Sequence, residues 1–418
     1  MQDNHAVAIN KTRVMLGLIA IYIIFAILLN SVGTVILQVI SNFSVSKSAA
    51  SVLEGFKDIP IAVVSFLVAS YLPRFGYKNA MLVGLGIVTL TALAMPLVPS
   101  FMMTKMLFLS VGISFALVKV SVYSMLGLIC DSVKAHASNM NILEGCFMLG
   151  VLAGYWLFGA FIEANPADPN SWLQVYWLIA ALASATFVLI LTTPMPSSKA
   201  MAKPVKAKAD FLAMLKLATL PFVLTFVLSA FFYVLIEQGI GSWLPTFNNE
   251  VLQLPADISV QITSIFAACL AIGRLSAGVI LRRINWYPLL LGCIACMAIL
   301  LVVVLPLIVP KNTAQISGGW LSIPIAAFVL PVIGMFMAPI YPAINSAVLS
   351  ILPHAKQASM TGLIVIFSAL GGTLGSIITG SIFEYYSGQV AFYFMLVPML
   401  ILTITLTLFK RLLDKQTA

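Results

Sequence analysis

Apolar residues run through this chain in blocks of about twenty or more, parted by short polar turns or by turns marked with proline and glycine. Blocks of that length cross a bilayer as helices, because backbone polar groups in hydrocarbon must be satisfied within their own segment. The pattern predicts helices at 14–41, 49–73, 79–98, 105–130, 139–162 and 172–193, then at 214–246, 259–281, 287–309, 322–350, 359–383 and 389–409. The first is too long for a signal-peptide core and no small-residue cleavage site follows it, so it is expected to stay in the membrane.

Composition turns that pattern into a class. The chain is 61% hydrophobic and 8% charged with a mean hydropathy of +1.08, against about 25% charged residues in an ordinary soluble domain. One soluble core has no use for so much apolar surface, so a soluble enzyme is excluded and an all-α, multi-pass membrane protein is expected. Lysine and arginine then set the orientation, because cytoplasmic loops retain positive charge. With the N-terminus inside, all but six of the 22 basic residues fall in cytoplasmic segments. The exceptions are Lys47, Lys105 and Lys311 in the opposite turns and Lys57, Lys119 and Arg274 within helices. Both termini are therefore expected in the cytoplasm, in a bacterial inner (plasma) membrane. The net charge of +9 follows from this topology and from anionic inner-leaflet lipid, without nucleic acid.

The only sizeable polar linker, "TPMPSSKAMAKPVKAKADF" from Thr193, lies between the sixth and seventh predicted helices. It divides the chain into a six-helix half at 1–193, a cytoplasmic linker at 194–213 and a second six-helix half at 214–418. The halves carry an internal repeat. "ASNMNILEGCFMLGVLAGYWLFGAFIE" from Ala137 and "ASMTGLIVIFSALGGTLGSIITGSIFE" from Ala358 align without a gap, setting Gly150, Gly154, Gly159 and Glu163 on Gly371, Gly375, Gly380 and Glu384. Small residues at this spacing let helices approach closely in lipid, so the glycines read as packing.

Two parallel six-helix halves joined by a basic loop resemble the major facilitator superfamily. That family's signature between helices two and three runs Gly-x-Leu-x-Asp-Arg-x-Gly-Arg-Lys. Here "ASYLPRFGYK" keeps Arg74, Gly76 and Lys78 and has Pro73 at the Asp position, while "GVILRRINW" after helix eight keeps Gly278, Arg282 and Arg283. Within the second half, "FFYVLIEQGIGSWLPTF", "AIGRLSAGVILRR" and "PIYPAINSAVLSILP" are similar to the branch of fucose and glucose cation symporters. In that branch a Tyr-x-x-x-Glu or Gln followed by Gly-x-Trp lies on helix seven and a Gly-Arg pair on helix eight. Tyr233, Glu237, Gly241 and Trp243, then Gly273 and Arg274, stand at those positions. The resemblance implies secondary transport of a sugar with a proton or sodium ion. The fucose symporters also carry acids on helices one and four, where this chain has Asn30 and, by rough alignment, Lys119.

Ionisable groups at membrane depth are costly and mark substrate or ion pathways by default. Seven are expected there: Glu54, Lys57, Asp58, Lys119, Glu144, Glu237 and Arg274. In "LEGFKDIP" the i,i+3 and i,i+4 spacing gathers Glu54, Lys57 and Asp58 into one acid–base cluster, and paired carboxylates in a poorly hydrated place suit a proton carrier. The alternative is a wet helix end. Lys119 lies too near the midplane to snorkel, so a cavity role is expected, with a structural ion pair as the alternative. Arg274 reads equally as structural partner or substrate contact, and Glu144, near a helix end, as solvated. In "EQGIGSWLP", Gly239, Gly241 and Pro245 weaken helix seven just after Glu237 and Gln238, as at a gate or an ordinary kink. Helix ten repeats this with Pro339 and Pro342 around Tyr341, and Asn345 follows one turn later. Tyr233, Trp243 and Tyr341 have the rings to stack on an amphipathic ligand or to pack.

Other signals are slight. "CIAC" at Cys293 has redox spacing but lies in an apolar helix, the three histidines are isolated, and there is no phosphate-binding loop. No cofactor, metal or ATP drive is expected. The partners expected are a small-molecule substrate, a proton or sodium ion and the bilayer, with the chain working as a monomer. Three functions compete: a coupled sugar or metabolite transporter, an organic-anion carrier or drug exporter of the same fold, and a membrane receptor that transports nothing. The paired halves and buried charges weigh against the last.

Overall fold

The computed structural model describes residues 10–68, 72–163, 168, 170–196, 214, 216–308, 323–349 and 354–417. Among the described residues, twelve crossings fall into two sets of six. The first set is α1 (Lys11–Asn30, continued by Val32–Phe43), α2 (Leu53–Val68), α3 (Tyr77–Leu97), α4 (Phe101–Ile129), α5 (Val133–Glu163) and α6 (Val175–Thr192). The second is α7 (Pro221–Gly241, continued by Leu244–Glu250), α8 (Ala256–Ile280), α9 (Trp286–Val304), α10 (broken pieces ending in Ile340–Leu349), α11 (His354–Tyr385) and α12 (Gly388–Phe394 and Leu396–Thr417). Among the described residues 11 helices are long and apolar enough to cross a bilayer. The remaining crossing, α2, is the one that carries Glu54, Lys57 and Asp58. The expected linker lies outside the described residues apart from its first three positions.

An even number of crossings puts both chain ends on one face of the bundle, here the terminal face; the other is the loop face. Large apolar side chains such as Leu90, Leu275 and Ile325 point outward, as lipid requires.

The repeat is used symmetrically. In the first half Gly150 and Gly154 of α5 bring it against Ile23, Ala26 and Ile27 of α1; in the second, Gly371 and Gly375 of α11 bring it against Phe231 and Leu235 of α7. A Cβ on either α11 glycine would run into a main-chain carbonyl of α7. The third repeated pair reaches across the halves, Gly159 of α5 to Gln261 of α8 and Gly380 of α11 to Ser51 beside α2.

Several helices break where the sequence allows it. α7 ends at Gly241 and resumes at Leu244 with Pro245 in its first turn, as the glycines and proline predict. α1, expected unbroken over 14–41, is interrupted at Ser31. The polar "NS" beside Gly33 accounts for it, since these side chains offer the backbone local partners: Asn30 Nδ2 donates to Ala26 O at 2.9 Å and Ser31 Oγ to Leu28 O at 2.8 Å. α2, expected to begin at 49, follows a short helix at Lys47–Ala50. The two breaks meet: a Cβ on Gly33 would lie 2.7 Å from the carbonyl oxygen of Ser242.

Candidate functional site

The charges of "LEGFKDIP" lie at this junction of breaks, and they are not wet. Glu54 is 0% exposed and Lys57 6%. Each Glu54 oxygen has a partner: Lys57 Nζ pairs with Oε1, and Ser242 Oγ, from the other half, donates to Oε2 at 2.9 Å. Gln238 Oε1 stands 3.1 Å from the same serine hydroxyl. Lys57 Nζ also donates to the carbonyl of Leu29, beside the α1 break, at 3.4 Å, and lies 3.5 Å from Asp58 Oδ1. Asp58 Oδ2 occupies the space left by the missing side chain of Gly372 on α11; a Cβ there would sit 2.5 Å from the oxygen. Main-chain contacts fix α2 from behind, where the Lys57 carbonyl meets Gly112 of α4.

Beside this cluster is a cavity of about 80 Å³ whose polar lining comes from both halves: Asn30, Lys57 and Tyr155 from the first, Glu237, Gln238 and Ser242 from the second. It has room for a few waters and is contracted relative to a hexose. Toward the loop face the halves stay in contact. Lys47 Nζ pairs with Glu250 at 3.1 Å, and the main-chain N–H of Lys47 donates to Glu384 Oε2 at 2.5 Å.

Toward the terminal face Tyr233 is buried, Glu237 is half-buried and the cations beyond them are exposed. Glu237 accepts from Tyr233 at 3.0 Å, and Arg274 of α8 is close enough for its charge to act on it. Arg274 itself is exposed, with Nη1 4.0 Å from Met148 Sδ of α5, across the gap between the halves. Lys119 is exposed too. Its Nζ lies 5.7 Å from the centroid of Phe115, a ring packed among Tyr22, Phe25 and Phe147, so it faces the interior of the first half. One turn on, Tyr123 donates to Glu144 at 2.6 Å. Among the described residues neither Lys119 nor Arg274 has a carboxylate within 4 Å. The ion pair held open for Lys119 is not formed.

Of the predicted residues, Lys57, Glu237 and Gln238 come together at the cavity, with Glu54 and Asp58 against Lys57. Tyr233 and Tyr341 stack on each other, centroids 5.6 Å apart, and Tyr341 shares a 3.0 Å hydrogen bond with Ser368. Asn345 Oδ1 is buried without a partner among the described residues. Trp243 is not available for stacking on a ligand: it is fully buried, and its indole donates to Ser376 O at 3.1 Å, because the α7 break turns it into the packing against α11. Glu144 is exposed six residues past Ser138, where the apolar span of α5 begins, although the helix itself starts earlier, at Val133. Ser242, Tyr155 and the α1 break escaped the sequence reading. Serine and tyrosine in an apolar helix carry no charge to mark them; "NSVG" was the available signal.

Of the basic signature residues, Lys78 serves its own half. Lys78 Nζ donates to the carbonyls of Leu191 at 2.8 Å and Thr193 at 2.9 Å, neutralising the end of α6 as a cation at a helix C-terminus does. Among the described residues no cluster of His, Cys, Asp and Glu is arranged to hold a metal.

Comparisons with known proteins agree with this architecture. Over 261 residues, 59% of this chain and 58% of the relative's length, the chain is 27% identical to the glucose/mannose transporter GlcP of Bacillus subtilis. Its fold matches the crystal structure of the nucleoside transporter NupG with a TM-score of 0.70 at 15% identity, covering 96% of this chain and 98% of that one. FucP in the outward conformation gives 0.60 at 17% identity, with 95% and 97% covered. At such identities the two structures speak for the fold alone. The sequence profile of the Major Facilitator Superfamily matches residues 14–372, and the chain belongs to that superfamily of membrane transporters.

Proposed function

We propose that this transporter moves a small polar solute, a sugar or related metabolite, by rocking its halves, 1–193 and 214–418, about the cavity at the broken helices. A cation gradient drives it. The observation that carries this reading is the cavity itself: polar, lined by both halves, and bounded by the charges of α2 and Glu237 of α7. Discontinuous helices at a midplane site, with charged groups beside freed backbone, are how secondary transporters bind solute and coupling ion together. The relative named as a glucose/mannose transporter supports a hexose. The distribution of lysine and arginine supports a cytoplasmic terminal face in a bacterial plasma membrane, so the described state is contracted outside and accessible inside.

A second reading, an organic-anion carrier, draws on Lys119 and Arg274: two accessible cations with no carboxylate within 4 Å among the described residues suit a carboxylate ligand. Uptake and counterflow in proteoliposomes with hexoses, polyols and carboxylates separate the two. Saturable flux of a neutral hexose supports the sugar reading, and flux confined to carboxylates replaces it with the anion reading.

A further inference from the structure

The oxygens around Lys57 Nζ form the kind of set that holds a small hard cation. They are Glu54 Oε1, Asp58 Oδ1 at 3.5 Å and the Leu29 carbonyl at 3.4 Å. Leu29 is the penultimate residue of the first α1 segment, so its carbonyl stands at the negative end of a half-helix, where transporters with broken helices coordinate sodium or take up protons. In this chain an ammonium is already there. It is held on α2, whose main chain is pressed against α4, and its carboxylate is tied to the second half by Ser242.

We propose that Lys57 is a tethered cation filling the position a sodium ion would take, and that the carrier is consequently indifferent to sodium and coupled to protons. This rests on the cation-coupled reading above.

The neighbouring charges support it. On α2 itself Lys57 meets Glu54 and Asp58. α7 contributes Glu237, which accepts from Tyr233, beside the uncharged Gln238 and Ser242, and α5 contributes Tyr155. α1 offers only Asn30 and backbone, and α11 only Gly372 and Thr373, which face Asp58 and Gly55. Arg274 acts on Glu237 from α8. Three carboxylates therefore stand against two fixed cations, leaving one negative charge. One proton on Asp58 or Glu237 neutralises the set, which favours rocking of a site that would otherwise carry uncompensated charge through a low-dielectric bundle. A sodium ion would have to displace the ammonium that already satisfies Glu54.

The test uses the purified full chain in detergent, without any solute, in NaCl or KCl at equal ionic strength and pH. The melting temperature of the wild type is expected to be the same in both. Lys57→Ala should melt lower in KCl and be restored, saturably, by NaCl, because sodium then fills the vacated position. Lys57→Ala/Asp58→Asn keeps the balance of charge, guards against a single variant that does not fold, and should show the same sodium response. A sodium-specific rise in the wild type overturns the proposal, as does a sodium-blind double variant. In parallel, labelled glucose uptake into proteoliposomes should follow an imposed pH gradient in sodium-free buffer. Uptake that requires a sodium gradient contradicts the proposal. Glucose flux absent under every gradient fails the hexose reading instead, while the melting comparison still decides the ion.

Discussion

Two groups of charges lie inside this bundle, and they are treated in opposite ways. At the junction of α1, α2 and α7, Glu54 and Lys57 are buried and each has partners, one of them from the other half. Toward the terminal face Lys119, Glu144 and Arg274 are accessible, and among the described residues the two cations have no carboxylate within ion-pair distance. A sealed ion pair is strong only while it is complete, since a partner's loss strands a charge in low dielectric. Accessible charges cost little to keep and are free to meet a solute. Under the proposed rocking of the halves, the contrast is the one expected of a carrier closed around one group and open around the other.

The largest expected effect breaks the sealed group. Glu54→Ala leaves Lys57 short of its closest acceptor and should cost about 3–5 kcal/mol when the remaining charge stays dry, read as a fall in melting temperature of the purified protein. Glu54→Ala/Lys57→Ala should cost less than the single change; strictly additive losses would mean that the two charges are independently hydrated. Next comes the link between the groups. Glu237→Gln, beside the cavity and within reach of Arg274, should abolish accumulation against a gradient while leaving exchange, and wild-type accumulation in this variant would remove Glu237 from coupling.

A packing change sharpens the comparison from another side. Gly375→Leu drives a side chain into the main chain of α7 and should cost about 1–3 kcal/mol or more, loosening the α7–α11 contact and leaving the accessible charges untouched. The smallest effect belongs to the accessible group. Lys119→Ala should change stability by no more than about 0.5 kcal/mol, yet lower the apparent affinity for the transported solute. A melting loss comparable to that of Glu54→Ala would show Lys119 to be structural.

Much of the fold is legible in the sequence because lipid demands it: twenty apolar residues in a row have few alternatives to a spanning helix, and the gapless repeat from Ala137 and Ala358 announces the two halves. The charges were legible as residues but not in their hydration. Glu54 lies one residue into α2, where depth alone suggests water. It is dry because Gly33, Gly55 and Gly372 let helices of the two halves close over that turn. Conversely Lys119, deep by position, is exposed. Position along a helix gives depth; which side is sealed is decided by the other half, through contacts such as Ser242 to Glu54 that no local pattern encodes.

The central claim is that sealing on the loop face and access on the terminal face alternate. Spin labels at Ser48 and Gln253 on the loop face, and separately at Ser132 and Ser276 toward the terminal face, placed in a background without native cysteines, report both distances by pulsed dipolar spectroscopy. Across pH, with and without a transported solute, the account predicts opposed changes: conditions that lengthen the Ser48–Gln253 distance shorten the Ser132–Ser276 distance. Distances that stay fixed at both faces under every condition, or that lengthen together, would contradict it.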